Sequence, residues 1–206
     1  MEGYHEPVLL REVVDFLKVK PGRWYLDCTL GDGGHCLEIL KRGGNVVGID
    51  VDPEALERVR GRLQGTGYSK QNLTLIQGNF REIKNLLQPA SPAKRGEQMD
   101  LADKIFAGAI FDLGVSSLQL MSPERGFSFL KAGPLDMRMD PGLGVLAFDL
   151  IKILTRKELY ELFSKLGEEK YSWQVASALV LARGIRNTEE LADLVEKVYR
   201  KAGVTS

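Results

Sequence analysis

Cysteine and histidine are scarce in this sequence of 206 residues. The chain has two cysteines, Cys28 and Cys36, and two histidines, His5 and His35. Because no C-x-x-C pair is present, neither a disulfide framework nor a zinc site is expected, and two histidines are too few for a histidine-built metal centre. We therefore expect no metal ion and a protein of the reducing cytosol.

Long apolar runs and an excess of charge of either sign are also lacking. The sequence has no charged-then-apolar leader and no apolar stretch long enough to cross a bilayer, so no membrane partner is expected. Its 28 basic and 28 acidic residues cancel to a net charge of zero. Any nucleic-acid surface must therefore be a local patch. Hydrophobic residues make up 44% of the chain, which is enough for a proper core.

The first half of the sequence alternates between strand-like and helix-like segments. Helical spacing of apolar residues predicts a helix before the first strand and helices after the first two strands. Asp52 is the predicted N-cap of the third helix, and Pro53 is its first residue. The polar stretch from Gln88 to Asp103 predicts a surface loop. Strands that alternate with helices imply a parallel sheet with right-handed crossovers. The predicted strands are 23–30, 45–50, 73–80 and 104–114.

Helices with apolar stripes dominate the second half, after an irregular segment that follows Gly114. Thr155 with Glu158, and Asn187 with Glu190, predict capping boxes at two helix starts. The change from alternating strands and helices to an irregular segment followed by helices predicts two domains, 1–114 and 115–206. The spacing predicts three buried helix faces, formed by Leu159, Leu162, Phe163 and Leu166; by Trp173, Ala176, Leu179 and Val180; and by Leu191, Leu194, Val195 and Val198.

The stretch YLDCTLGDGGHCLEIL places three glycines between the first strand and the next helix. In an open parallel sheet, ligands bind beyond the carboxyl ends of the strands, where this loop lies. Glycine lets the backbone approach a ligand closely, and the free N–H groups of the following helix suit an anionic or polar group. Asp50 ends the second strand, where a carboxylate can accept both hydroxyls of a ribose. Asp52 suits that role less, because it caps a helix.

The pattern favours S-adenosylmethionine over a dinucleotide. Gly31 and Gly33 match the first half of G-x-G-x-x-G, but Cys36 stands where the third glycine belongs. S-adenosylmethionine has no pyrophosphate, and its looser D-x-x-x-G-x-G turn is present as Asp27, Gly31 and Gly33. Two alternatives stay open at this point. One is an ordinary strand-to-helix turn, with Asp27 as a turn acid and His35 as a surface or capping residue, and the other is a nicotinamide oxidoreductase.

Two further residues follow the carboxyl ends of strands. Phe80 closes the third strand, where an aromatic ring can stack on adenine, although a core position is the commoner fate of such a ring. Asp112 follows the fourth strand and faces the same crevice, with loop capping as its alternative role. Both are candidates for the same ligand site.

These motifs together resemble the MraW/RsmH methyltransferases. They are HEPVLLREVVDFL, LDCTLGDGGH, GIDVDPEAL, QGNF, DLGVSSLQL, ERGFSF, GPLDMRMD and LGEE, which reach from His5 to the last helix. Members of that family are bacterial enzymes that methylate the exocyclic N4 of a cytosine in small-subunit (16S) ribosomal RNA. The resemblance implies a Rossmann-like class I methyltransferase sheet with an inserted helical substrate domain. It implies S-adenosylmethionine as cofactor and small-subunit ribosomal RNA or the assembled subunit as partner, and it is compatible with a homodimer.

The resemblance also implies a set of site residues. Asp112 is the candidate catalytic residue, accepting a proton from the target amine, because DLGVSS stands where many amino-methyltransferases carry D/N-P-P-Y/F. A purely cofactor-positioning role for Asp112 stays open. Gln119 is indicated by the resemblance alone. The implied cofactor contacts are Gly33, Gly34, His35, Asp50, Phe80, Asp112 and Gln119.

The loop ERGFSFLKAGPLDMRMD is the candidate RNA-contacting segment. Its cations suit phosphates and its aromatic rings suit unstacked bases. In the alternative interpretation, its phenylalanines anchor the loop and Arg138 pairs with Asp136 or Asp140. The candidate RNA contacts are Arg125, Phe127, Phe129, Lys131 and Arg138.

The sequence departs from the family pattern in its last third. A HPATRTFQALR-like helix and an ISFHSLEDR-like strand are expected after Ser206, and four strands are predicted where methyltransferase sheets ordinarily have seven. We therefore expect the C-terminal strands to be absent from this chain and the fourth strand to expose an open apolar edge. A non-catalytic RNA-binding or assembly module is the alternative function, and a small-molecule methyltransferase is a weaker one.

Overall fold

A computed structural model describes residues 7–64, 66–69, 71–88, 101, 104–182 and 184–204. The chain divides into two compact units, Met1–Gly114 and Val115–Ser206. His5 and most of the polar stretch between Gln88 and Asp103 lie outside the described residues.

The first unit contains a four-stranded parallel sheet, as the alternating pattern predicts. The strand order is β3-β2-β1-β4, so β3 and β4 form the edges of the described sheet. The connection from β3 to β4 passes β1 and β2, which makes the carboxyl ends of β1 and β4 a topological switch point. The strands are β1 Trp24–Asp27, β2 Asn45–Asp50, β3 Leu73–Gln77 and β4 Phe106–Ile110.

Helices cover both faces of this sheet. Alternate residues of β1 point to opposite sides, so Tyr25 packs in one apolar cluster while Trp24 and Leu26 pack in another. A parallel sheet needs such cover on both faces. Asp52 caps the third helix through the Glu54 N–H, as predicted. The helices are α1 Leu10–Leu17, α2 Gly34–Lys41, α3 Pro53–Leu63 and the short α4 Ile83–Leu86.

The expected apolar edge is present at β4. This strand pairs with β1 alone among the described strands. Ile105 before the strand is 79% exposed, and Phe111 after it is 51% exposed. Unpaired strand edges with apolar flanks are prone to associate with other chains.

The second unit is helical and has its own core. That core is formed by Leu135, Ile151, Leu159, Val175, Ala176, Leu179 and Ile185. The predicted inward face of the last helix packs against it. The helices are α5 Ser117–Met121, α6 Ala147–Ile153, α7 Arg156–Lys165, α8 Ser172–Leu181 and α9 Thr188–Lys201.

Two predicted core positions are wrong. Leu166 is 82% exposed because α7 ends at Lys165, so the apolar stripe has no further turn to continue on. Trp173 is 50% exposed because Val175, Ala176 and Leu179 form the buried face of α8, and the indole lies at the flank of that face.

The capping predictions for this unit hold with one difference. Thr155 and Glu158 form a full capping box. The Asn187 side chain accepts the Glu190 N–H at 2.8 Å, but the Glu190 carboxylate accepts from the Arg186 N–H at 2.9 Å. Among the described helices of both units, none combines the length and apolar character needed to span a membrane.

Candidate functional site

The loop after β1 requires its glycines for geometric reasons. Gly31 and Gly33 have φ of 50° and 73°, values that side-chain-bearing residues rarely adopt. A Cβ on Gly33 would lie 2.7 Å from Val59 Cγ2, and one on Gly34 would lie 2.3 Å from Pro7 Cγ. Gly33 is the N-cap of α2, and no side chain in the described part of the chain caps this helix. The loop therefore packs tightly against α3 and Pro7.

Asp50 is joined to this loop by hydrogen bonds. The Gly31 N–H donates to Asp50 Oδ2 at 2.8 Å, and the Asp52 N–H donates to Oδ1 at 2.9 Å. Burial raises the pKa of the Asp50 carboxyl, while these two N–H groups act in the opposite direction. Each carboxylate oxygen has two lone pairs, so both can still accept a ligand hydroxyl. The glycine loop and the predicted ribose acid thus form one connected structure.

An ion pair between Arg58 and Asp32 fastens the other side of the loop. Arg58 Nε of α3 donates to Asp32 Oδ1 at 2.8 Å, and a guanidinium nitrogen of Arg62 donates to the Asp32 carbonyl oxygen at 2.8 Å. The sequence analysis did not predict this contact. The signal for it is a pair of arginines four residues apart, on one face of a helix that comes later in the chain than the loop aspartate.

Asp27, the last residue of β1, is the most perturbed carboxyl group of the site. It is 1% exposed. Its Oδ1 accepts the Thr29 N–H at 3.3 Å, whereas Oδ2 is buried with no partner among the described residues. Burial, to which the charges of Asp50 and Asp112 add, raises the pKa of Asp27 from 3.8 to about 7. The sequence indicated Asp27 only as part of the glycine turn.

Asp112 lies at the same edge of the sheet, two residues beyond β4. Its N–H donates to Thr29 Oγ1 at 2.7 Å, which fastens the segment after β4 to the segment after β1. Its own side chain is exposed. Three carboxyl groups, on Asp27, Asp50 and Asp112, therefore gather at the carboxyl ends of β1, β2 and β4. Such a cluster favours a positively charged ligand. Within the described ranges, no group of His, Cys, Asp and Glu side chains is placed to hold a metal ion.

Phe80 begins a 3-10 turn just after β3 and is half-buried. It packs against the second apolar cluster of the sheet, and its ring meets Phe111 edge-to-face, with centroids 5.5 Å apart and planes at 84°. Packing on the core, one of the two interpretations of Phe80, is therefore confirmed, and stacking on an adenine ring stays a prediction. Sequence reasoning missed Phe111, for which the signal is an aromatic residue directly after β4.

His35 is enclosed at the start of α2. It is 5% exposed and hydrogen-bonds the backbone of Val8, while its Nε2 has no partner among the described residues. Burial lowers the pKa of the imidazole, so His35 is neutral at physiological pH. The open alternative of a surface residue is wrong.

Gln119 belongs to the second unit. Its Oε1 accepts the Ser116 N–H at 3.0 Å, and its own N–H donates to Ser116 Oγ at 3.2 Å, which completes a capping box for α5. Arg138 also serves a structural role, because its guanidinium pairs with Asp136 at 2.7 Å, as one of the two interpretations predicted. Phe129 of the same loop is 70% exposed.

Comparison with known proteins identifies a family match along the chain. The sequence profile described as the MraW methylase family matches residues 2–205. The "Ribosomal RNA small subunit methyltransferase H" of Carboxydothermus hydrogenoformans is 40% identical over 97% of this chain and 60% of its own length. The protein of the same name from Chlorobaculum parvum is 41% identical over 97% of this chain and 61% of its own length. The chain thus spans about 60% of the length of these curated relatives.

Among solved structures, the similarity is weaker. A "SAM dependent methyltransferase" from Aquifex aeolicus aligns over 77% of this chain and 79% of its own, at 14% identity and a TM-score of 0.32. That similarity is too low to support an argument, and the family assignment does not depend on it.

Proposed function

The chain belongs to the MraW methylase family, and on that premise we propose that it binds S-adenosylmethionine at the carboxyl ends of β1, β2 and β4 to methylate ribosomal RNA. The observation that carries the proposal is the hydrogen bond from the Gly31 N–H to the Asp50 carboxylate. This hydrogen bond joins a glycine loop, whose backbone a ligand can approach closely, to a carboxylate that can accept ribose hydroxyls. A nucleoside cofactor needs both features.

The residues present fit this cofactor. Among the described residues, a Cβ on Gly31 would meet the Thr29 carbonyl oxygen alone, at 3.9 Å, so these residues leave space for a ligand on that side of the loop. The N-terminus of α2 has no side-chain cap from the residues that the structure describes, and it suits a carboxylate such as that of the methionine part of the cofactor. The carboxyl cluster of Asp27, Asp50 and Asp112 suits the positive charges of a sulfonium and an ammonium.

Each residue of the site then has a role. The cofactor, when bound, supplies a methyl group on positively charged sulfur. Asp50 holds the ribose through the lone pairs that its two backbone bonds leave unused. Phe80 flanks the adenine. The backbone of Gly33, Gly34 and His35 approaches the methionine part.

Asp112 is the proposed acceptor for the target amine. Its carboxylate is exposed at the same edge, and its backbone is fixed by Thr29. A hydrogen bond donated by an N–H of the amine to this carboxylate would orient the nitrogen lone pair towards the methyl carbon. Holding both reactants in reactive geometry lowers a barrier by on the order of 7–11 kcal/mol at its upper limit, and this hydrogen bond is one part of that alignment.

The proposed target is the exocyclic N4 of a cytosine in small-subunit ribosomal RNA. The names of the relatives support a small-subunit RNA substrate for the family. The second unit, 115–206, is the proposed RNA-recognition unit, with Gln119 supporting α5 at its start. The exposed Phe129 and the cations of its loop suit unstacked bases and phosphates.

The proposal is tested by incubating the chain with radiolabelled S-adenosylmethionine and small ribosomal subunits that lack the modification. Nucleoside analysis should find the label in N4-methylcytidine. Label in a different nucleoside would contradict the cytosine assignment. Measurable cofactor binding without any methyl transfer would favour the alternative of a non-catalytic RNA-binding module.

A further inference from the structure

Two large aromatic side chains of the second unit remain exposed on neighbouring helices. Trp173 of α8 is 50% exposed and Tyr160 of α7 is 38% exposed. Their rings meet edge-to-face, with centroids 5.5 Å apart and planes at 75°. The chain has two tryptophans, and the other, Trp24, is 8% exposed. A tryptophan held by a ring contact and still half open to solvent offers a preformed apolar face to a partner.

Positive charge borders this aromatic pair. The guanidinium carbon of Arg156 lies 5.7 Å from the centroid of the Trp173 ring. Arg156 and Lys157 are both exposed and occupy the first turn of α7, where a positive charge opposes the helix dipole. Their position therefore does not stabilise the helix, and it leaves a positive potential at the surface. We call Tyr160, Trp173, Arg156 and Lys157 the Trp173 platform.

No acidic residue of α7 forms an ion pair with the platform, and the first turn of α7 keeps a net positive charge, with Arg156 and Lys157 against Glu158. Glu158 accepts the Thr155 N–H at 2.8 Å in the capping box, and Glu161 pairs with Lys165 at 3.1 Å. Neither Arg156 nor Lys157 forms an ion pair with a carboxylate of the described residues. In a chain of zero net charge, a local cationic patch is the footprint that a nucleic-acid contact requires.

Aromatic faces beside cations match the chemistry of single-stranded nucleic acid. Every base has a π-face that can stack on a ring, and arginine contacts phosphates through two parallel N–H donors. We infer that the Trp173 platform stacks an unpaired nucleobase of the RNA substrate, with Arg156 and Lys157 at the adjoining phosphates. This inference rests on the proposed function, and it names a contact that the site in the first unit does not supply.

Tryptophan fluorescence tests the contact directly. The probe is a single-stranded RNA of about 12 nucleotides, within the span that one nucleic-acid-binding module covers. Stacking on Trp173 should quench the wild-type emission on titration, and the same RNA annealed to its complement should quench it far less. Trp173→Phe leaves the buried Trp24 as the sole emitter, so its signal should not respond.

Filter retention of labelled RNA measures the same contact without fluorescence. Trp173→Ala should weaken binding by about tenfold, and Trp173→Phe, which keeps a ring, should weaken it less. Arg156→Gln should also weaken binding and reduce its salt dependence, since it removes one phosphate contact. Leu181→Ala is the matched control, because Leu181 is 83% exposed on the same helix and belongs to neither the platform nor the core.

The outcomes separate this inference from the proposed function. The inference about the platform is wrong if RNA does not change the tryptophan emission of the wild type and if wild type and Trp173→Ala retain RNA equally well. In that case the proposals of cofactor binding and methyl transfer still stand. If the wild-type chain neither binds S-adenosylmethionine nor retains RNA, both the inference about the platform and the proposed function are wrong. If Trp173→Ala alters the sedimentation mass and leaves RNA affinity unchanged, the face is an interface between copies of the chain and the inference is wrong.

Discussion

At the residue scale, Asp27 links the fold to the chemistry of the site. It ends the central strand β1, and one of its carboxylate oxygens is buried without a partner among the described residues. The backbone N–H groups of Thr29 and Cys36 offset only part of the cost of burying this carboxylate, and a proton or a cationic ligand relieves the rest. The site therefore contains a group that responds to both pH and ligand charge.

The raised pKa of Asp27 predicts a pH dependence of stability. The folded protein holds this proton up to about pH 7, whereas the unfolded chain releases it near 3.8. The stabilisation that this proton gives the folded protein is complete below pH 3.8 and is lost as the pH rises through about 7. Between about pH 5 and about pH 8, the free energy of unfolding should fall by about 2–3 kcal/mol more for wild type than for Asp27→Asn. Urea titrations at both pH values measure this, and parallel profiles would show that Asp27 titrates normally.

Asp50 should determine cofactor affinity. Asp50→Asn removes the charge and weakens the acceptance of ribose hydroxyls, so the affinity for S-adenosylmethionine should fall about 10- to 100-fold. Asp52→Asn is the matched control, because asparagine caps a helix as well as aspartate does and the site should keep its affinity. Isothermal titration calorimetry compares the two. Equal affinity of Asp50→Asn and wild type would place the ribose contact elsewhere.

At the element scale, the loop between β1 and α2 depends on steric fit as well as on ligand contact. Gly33 combines a positive φ with a contact that a Cβ would make at 2.7 Å from Val59. At Gly61, within α3, a Cβ would meet no other atom of the described residues within 4 Å. The two glycines form a natural pair for substitution by alanine.

Alanine at these two positions should have opposite effects. Gly33→Ala should lower the free energy of unfolding by about 2–4 kcal/mol, through left-handed backbone strain and overpacking. Gly61→Ala should raise it by about 0.5–1 kcal/mol, because alanine suits a helix interior better. Denaturant unfolding at one pH measures both. A Gly33→Ala protein as stable as wild type would mean that the loop tolerates another backbone conformation.

Several elements could be predicted from the sequence because their signals are local. Asp52 with Pro53, and Thr155 with Glu158, act within one helical turn, so residue type and spacing were sufficient. Burial at helix ends and flanks could not be predicted in this way. Trp173 lies at helical spacing from Ala176, yet its exposure depends on which helices pack beside α8.

At the scale of the whole molecule, the chain has separate apolar cores in its two units. The clusters on the two faces of the sheet involve residues of the first unit, and the third cluster involves residues of the second. The change of sequence texture after Gly114 predicted a boundary there. The site could be only partly predicted, because the carboxyl cluster arises where three strands end together. The burial of Asp27 depends on that convergence, and the ring contact of Phe80 with Phe111 joins the segments that follow β3 and β4.

Separate cores predict separate effects of mutation. Leu179→Ala, at a fully buried position of the second unit, should lower the stability of that unit by about 2–5 kcal/mol. Cofactor affinity should remain at the wild-type value, since the site lies in the first unit. Hydrogen exchange resolves the two units, and calorimetry measures the affinity. Leu181→Ala should change stability by less than about 0.5 kcal/mol, because its side chain is exposed. A parallel loss of cofactor affinity in Leu179→Ala would show that the two cores are coupled.

One crevice, at the carboxyl ends of β1, β2 and β4, is the proposed cofactor site. A crystal structure of the chain with S-adenosylhomocysteine is the sharpest test of this proposal. We expect the ribose hydroxyls on the Asp50 carboxylate and the amino-acid part of the ligand against the backbone of residues 31–35. Ligand density at any other place on the chain would contradict it.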